Sequence, residues 1–330
     1  MDWGSIVRFS ISACIGPDAI IYALAAIGLN VHFGYTGLLN FGQAGFMAIG
    51  AYGMGVAVVF FKTSFWLGIG AGVLTAVVLA LILGIPTLRL RADYLAIVTI
   101  AASEIIRLTV RSVYFAPETG GSFGLQNFAN SFYELDPFHA QNYQWGPFRY
   151  SGRDLWVVVV GWSVVALVTL VVFLLMRSPW GRVLRAIRED EDAARSLGKN
   201  VYGYKMQSLI LGGVIGAMAG MVFGIAAQSI QPESYLPAIT FFGYAVLILG
   251  GTARVFGPIA GSIAFWLIIA FAESTLRGAS AAGYVPTAIM NGNQVGQVRF
   301  MLVGLGLMLL MIFRPQGFFG NRNEIALDAR

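Results

Sequence analysis

Arg182-Val-Leu-Arg-Ala-Ile-Arg-Glu-Asp-Glu-Asp-Ala-Ala-Arg-Ser-Leu-Gly198 is a charged island between two long apolar runs. Leu155 to Met176 precedes it, Gln207 to Gln228 follows it, and neither run carries a charged residue. Each is long enough for a helix across a bilayer, which takes roughly 20 apolar residues. A membrane chain that gathers so many charges in one connection holds that connection in water. The island also has helical spacing. Val183, Ile187, Ala194 and Leu197 recur at intervals of three, four or seven and form one apolar stripe. Arg182, Arg185, Arg188, Glu189, Asp192 and Arg195 lie elsewhere on the helix, and Gly198 stands where a helix C-cap is expected. Such a pattern suits a contact with a separate protein, or a helix lying on the membrane surface.

The composition around the island agrees. The chain has 330 residues, of which 57% are hydrophobic and 11% charged, with a mean hydropathy of +0.73 and 41 glycines. A soluble domain carries about a quarter charged residues, so this chain cannot hide its apolar surface in a water-soluble core. Glycine enrichment fits membrane helices, which approach closely through small residues. Nine candidate spans follow: Asp18 to Phe33, Phe41 to Phe61, Trp66 to Ile85, Tyr94 to Val110, Leu155 to Met176, Gln207 to Ala227, Leu236 to Leu249, Pro258 to Leu276, and Arg299 to Phe313. The expected fold class is an all-α polytopic integral membrane protein, a single transmembrane domain over 1–330 with about 8–10 helices, some interrupted by glycine. Long continuous runs exclude a β-barrel, whose strands are shorter and alternate. No cleaved signal peptide is expected, because no basic region, apolar core and small-residue site stand in series. Cys14 is the one cysteine, so there is no disulfide framework, and His32 and His139 stand too far apart for a metal cluster. The net charge of +5 sits beside apolar runs, where it sets orientation rather than binding nucleic acid.

Lysine and arginine place four segments on one side, the cytoplasm. These are Arg89 with Arg91, the loop 178–205, Arg254, and the tail 314–330. The segment 114–154 then lies outside. It holds Glu118, Glu134, Asp136 and Asp154 and many aromatic residues, among them Phe128, Phe132, Tyr143 and Trp145. Those rings suit the headgroup level of the membrane or a docking surface for an extracytoplasmic partner.

Two further stretches carry polar groups at membrane depth. From Gly28 to Tyr52 glycines recur at 28, 34, 37, 42, 45 and 50. Irregular backbone in a membrane is tolerated where it is buried in protein or lines a wet cavity, and interrupted helices often surround transporter sites. Asn30, Tyr35, Thr36, Asn40 and Gln43 are therefore candidate pathway residues, with simple packing through small residues as the alternative. In the fourth span, Glu104 lies about 16 Å along the axis from the candidate N-cap Asp93, at ~1.5 Å per residue. Arg107 follows at i+3 on the same face. A structural Glu104–Arg107 pair is the preferred reading, with substrate contact by Glu104 as the other. No phosphate-cradling G-x-x-x-x-G-K-[ST] loop occurs, since Asn200 follows Gly198-Lys199. If ATP drives this chain, a partner binds the ATP.

The ordered set of motifs resembles the permease subunits of branched-chain amino acid ABC importers, in the longer of their two types. It comprises Gly28-Leu-Asn with Gly34-Tyr-Thr-Gly-Leu-Leu-Asn-Phe-Gly42, Leu88-Arg-Leu-Arg-Ala-Asp-Tyr-Leu-Ala-Ile-Val-Thr99, Glu104-Ile-Ile-Arg107, Thr119-Gly-Gly-Ser122, Ser178-Pro-Trp-Gly-Arg182, Gly250-Gly-Thr252, Phe256-Gly-Pro258 and Phe313-Arg-Pro-Gln-Gly317. Asp192-Ala193-Ala194, three residues and Gly198 have the form of the docking loop of ABC importer permeases, with Asp where Glu is usual. The resemblance implies an importer in a bacterial inner membrane. It would contain a homologous permease, two ABC ATPases that bind ATP and Mg, and a periplasmic or tethered substrate-binding protein. The chain itself would bind no cofactor, perform no bond chemistry and contact membrane lipid. Relatives also carry urea, short amides and other amino acids. Outside the family, an ion-coupled secondary transporter is the nearest alternative.

Overall fold

A computed structural model describes residues 3–89, 92–138 and 141–281, with isolated positions between 296 and 308. In chain order the first elements are α1 (Trp3–Cys14), α2 (Pro17–Leu29), a π-helical turn (Asn30–Tyr35), α3 (Gln43–Val59), α4 (Phe65–Thr87) and α5 (Ala92–Arg111). Short pieces follow: α6 (Ala116–Thr119), a 3-10 turn (Gly121–Phe123), β1 (Leu125–Gln126), α7 (Asn130–Glu134), β2 (Asn142–Trp145) and β3 (Phe148–Ser151). Then come α8 (Gly152–Arg177), α9 (Pro179–Glu189), α10 (Glu191–Ser196), α11 (Val201–Ala227), β4 (Ser229–Ile230), a second 3-10 turn (Pro232–Tyr235), α12 (Ala238–Gly250) and α13 (Gly257–Ala281).

Among the described residues, five helical stretches are long and apolar enough to cross a membrane: Trp3–Tyr35, Phe65–Thr87, Gly152–Arg177, Val201–Ala227 and Gly257–Ser280. Helices α3 and α12 are apolar but shorter, and α5 carries Glu104, Arg107 and Arg111. Eight of the nine spans read from the sequence coincide with helices; the ninth, Arg299 to Phe313, lies mostly outside the described residues, as does the tail 314–330. The fold is all-α and polytopic. Helices dominate because hydrocarbon offers no partner for a free amide or carbonyl.

At 26 residues, α8 is about 39 Å long at ~1.5 Å per residue, so its two ends define opposite faces of the molecule. One carries α9 and α10; the other carries the segment between α5 and α8. Side-chain caps fix the corners at the first face. Ser178, Asp190 and Asn200 accept from the amides of Trp180, Ala193 and Gly203, and so start α9, α10 and α11. The centre is α2, α3 and α11, packed through Ala19, Ala23, Ala25 and Ala26 on one side and Gly212, Gly213, Gly216 and Gly220 on the other. Lipid tails are as apolar as leucine, so these helices gain more from close approach than from hydrophobicity.

Three expectations change. The first apolar run was placed at Asp18, yet α1 forms before it and packs on α13. Its buried side is just Ile6, Ser10 and Cys14, too narrow a stripe for an apolar run to show. The segment 114–154 is a folded cap rather than a loop of interfacial rings. β1 pairs antiparallel with β4 through Leu125 and Ile230, and Phe128 and Phe132 are buried. Tyr114 and Phe123 remain exposed. Finally, the charged island is two helices. Asp190, at φ −154° and ψ 105°, ends α9 and caps α10. The buried stripe is Ile187, Ala194 and Val201, joined by Leu184 in the main core, whereas Leu197 is 79% exposed.

Candidate functional site

The π-turn ends α2 on the face that carries α9. The chain then doubles back as non-helical backbone over 37–42 and enters α3 at Gln43, level with Ala25 of α2. A buried backbone without a ladder must find other partners, and here side chains from distant elements supply them. Thr99 of α5 accepts from the Phe41 amide at 3.0 Å, and Thr240 of α12 accepts from the Ala44 amide at 2.9 Å. The Asn40 carboxamide oxygen accepts from the Gly42 amide at 2.8 Å, and its nitrogen donates to His32 Nδ1 at 3.0 Å. That assigns His32 the Nε2–H tautomer, which donates to the Leu209 carbonyl at 3.2 Å. The Thr36 hydroxyl donates to the Val31 carbonyl and meets Ser208 Oγ at 2.7 Å. The Tyr244 hydroxyl donates to the Asn40 carbonyl at 2.8 Å.

Asn30 sits at the start of the π-turn. It donates to the Arg254 carbonyl at 2.8 Å and accepts from the Ala253 amide at 2.9 Å, binding the turn to the α12–α13 connection. Gln43 is fully buried. Its amide nitrogen makes two long bonds, to the carbonyls of Ala25 at 3.4 Å and Gly212 at 3.3 Å, and its oxygen is buried without a partner. Room for this side chain comes from Gly28 and Gly216, where a Cβ would lie 2.6 and 2.3 Å from the Gln43 nitrogen. The structure thus brings Asn30, Thr36, Asn40 and Gln43 together as a buried scaffold for the break. Tyr35 is also buried, but it borders a cleft of about 490 Å³ shared with Arg185, Arg188, Arg254 and Phe256.

Helix α9 closes over that cleft. Leu184 and Ile187 anchor it, and two arginines three residues apart reach different helix ends. The Arg185 guanidinium donates to the Met176 carbonyl in the last turn of α8 at 2.8 Å and lies 5.9 Å from the Tyr35 ring. The Arg188 guanidinium donates to the Gly34 carbonyl in the π-turn. Both cap carbonyls at helix C-termini, where cations are favoured. Arg182, Glu189, Asp192 and Ala193 face out, and Ala194 is buried. α10 closes through Gly198 at φ +75°: the Gly198 amide donates to Arg195 and the Lys199 amide to Ala194. A left-handed cap of this kind suits glycine, and it leaves Leu197 protruding beside Asp192 and Ala193. Asp192 pairs with Arg195 at 3.1 Å, and Glu191 is held by Arg195 and Lys205.

The Glu104–Arg107 pair lies on α5, with the Arg107 Nε donating to Glu104 at 3.0 Å. Glu233, from the turn before α12, joins it at 3.1 Å to Arg107 and 2.9 Å to Arg111. Arg107 is 8% exposed and Glu104 35%. The cluster therefore ties α5 to the cap face, away from the π-turn. Among the described residues, no three His, Cys, Asp or Glu side chains gather as metal ligands.

Sequence reading missed Thr99, Ser208, Thr240, Ala253 and Glu233. Each stands 58 to 223 residues from its partner, and no local pattern signals such a contact.

A multi-pass helical bundle with a non-helical break at its centre and a capped, charged helical corner on one face is the architecture of a polytopic membrane protein, and its relatives are permease components. The family described as "Branched-chain amino acid transport system / permease component" matches residues 17–313. The chain belongs to that family. It is 30% identical to the high-affinity branched-chain amino acid transport system permease protein LivM of Salmonella typhimurium, over 93% of this chain and 69% of that protein. It is 25% identical to a probable branched-chain amino acid transport permease protein LivM of Methanocaldococcus jannaschii, over 90% of each chain. The nucleoside ABC transporter permease protein NupC of Lactococcus lactis is 24% identical, over 85% of this chain and 86% of the relative.

Proposed function

We propose that this chain forms half of the pathway of an ATP-driven importer for branched-chain or related amino acids, paired with a homologous permease in a bacterial inner membrane. Two ATPase subunits would grip the α9–α10 corner from the cytoplasm and supply ATP and Mg. A substrate-binding protein would deliver cargo at the cap face. The observation that carries this reading is the exposed tip of α10. Leu197 projects into solvent at the end of a capped helix, next to Asp192 and Ala193. A leucine exposed among charges at a capped helix end is available to a groove on a soluble partner, which would bury it. Arginine and lysine concentrate on this face at Arg89, Arg177, Arg182, Arg185, Arg195, Lys199, Lys205 and Arg254, as a cytoplasmic surface requires.

The test is co-expression with the neighbouring transport components, followed by purification and reconstitution into vesicles. The expected result is an ATPase held in the complex and uptake of leucine, isoleucine or valine that depends on ATP and on the binding protein. Uptake by this chain alone, driven by an ion gradient, would refute the proposal. The nucleoside permease relative favours a second cargo class on the same architecture. Competition of labelled leucine uptake by nucleosides, urea and short amides separates these cargoes.

A further inference from the structure

We propose that Arg188 is a positioning residue that ties the π-turn to α9, so that α9 and Asn30–Tyr35 move as one body. The proposal rests on the importer reading above and deepens it. In an uninterrupted α-helix the Gly34 carbonyl would accept from the Leu38 amide. Here the Leu38 amide turns instead to the His32 carbonyl at 2.9 Å, and Gly37 takes φ +74°. The break thus leaves the Gly34 carbonyl to the Arg188 guanidinium.

The arm of Arg188 also supports the backbone. A Cβ at Gly37 would lie 3.2 Å from Arg188 Cγ, so the turn rests against the stem as well as on the head group. The other end of the same π-turn is held by Asn30 to Ala253 and Arg254, with Ala253 itself at φ +58°. Arg185 meanwhile fixes α9 to the last turn of α8. Asn30 and Arg188 therefore hold the two ends of the six-residue turn, and Arg188 is the residue of α9 that hydrogen-bonds its backbone, beside the Arg185 guanidinium over the Tyr35 ring. π-helical turns are frequent at functional sites. Displacement of α9 by a partner would pull on the Gly34 carbonyl first, and through Asn30 on the α12–α13 connection. Arg188 points its donors inward, so it is a strut rather than a docking contact, unlike the exposed Arg182, Glu189 and Asp192.

The experiment uses the whole complex in proteoliposomes and measures ATP hydrolysis and substrate uptake in the same sample. Arg188→Met keeps the stem and removes the donors; Arg188→Lys keeps one donor. In both variants the ATPase should co-purify and hydrolyse ATP at close to the wild-type rate. Substrate moved per ATP should fall about tenfold or more in Arg188→Met, the worth of a charge-assisted hydrogen bond, and recover partly in Arg188→Lys. Hydrogen exchange of the amides from Tyr35 to Leu38 should quicken in Arg188→Met while α3 keeps its protection. An unchanged ratio of uptake to hydrolysis would overturn the strut. So would loss of the ATPase from both variants, which would make Arg188 a docking residue. If Arg188→Met does not fold, the ratio and exchange in Arg188→Lys decide. A wild-type sample that lacks an ATPase, or transports without ATP, rejects the importer reading itself and is seen before any variant is compared.

Discussion

Substituting Asn40 by alanine removes a side chain that serves two buried partners at once. The Gly42 amide loses its acceptor at 2.8 Å and His32 Nδ1 loses its donor at 3.0 Å, in a place that water does not reach. Each orphaned buried group costs about 1–3 kcal/mol, so Asn40→Ala should cost roughly 2–6 kcal/mol before relaxation. A chain of this size loses roughly 2 °C of midpoint per kcal/mol, which gives a fall of about 4–12 °C. Gln43→Met supplies the contrast. Gln43 is as buried as Asn40, but its oxygen already lacks a partner and its nitrogen makes two long bonds to carbonyls inside α2 and α11. Those carbonyls are served by helical amides. Removing the orphan oxygen offsets the loss, so Gln43→Met should stay within about 2 °C of wild type or rise. The assay is the thermal midpoint of purified protein in one detergent at one scan rate, because membrane proteins unfold irreversibly. Asn40→Ala within about 1 °C of wild type would refute the reasoning. So would Gln43→Met falling as far as Asn40→Ala, since burial alone would then explain both.

Other consequences are as direct. Gly28→Ala places a Cβ 2.6 Å from the Gly212 carbonyl oxygen and should lower stability by about 1–3 kcal/mol, read as a lower thermal midpoint and lower yield of folded protein. Leu197→Asp should abolish co-purification of the ATPase and leave the thermal midpoint unchanged, because the side chain contacts solvent rather than the bundle. Arg107→Met strands Glu104, while Glu233 keeps Arg111, and should cost about 1–3 kcal/mol, less than a fully buried pair because Glu104 is a third exposed. Glu104→Ala should impair transport or complex yield; wild-type uptake at normal yield would count against any role for the pair.

Helix type and the position of eight apolar helices were legible because a 20-residue apolar run has few alternatives in a membrane. Gly198 as a cap and Glu104 with Arg107 as a pair were legible too, since both are set within one turn of helix. The division of the charged island was harder. Asp190 can continue a helix or cap a new one, and periodicity alone does not choose. The stripe drawn through Leu197 failed because α10 ends at Ser196: Ala194 stays buried with Ile187, while Leu197 falls in the cap that Gly198 closes. α1 escaped notice because a narrow buried face leaves no apolar run.

What the sequence determined by itself is the solvent this protein lives in and the covalent order of its helices, since both follow from runs of residue type. Tertiary structure decided what the polar residues of the break do. Asn30, Asn40 and Gln43 read alike as residue types, yet one grips a distant turn, one serves two partners, and one keeps an oxygen unserved. Those differences arise from amides and carbonyls that a broken helix releases, and which groups come near enough to satisfy them is settled by how far-apart segments pack.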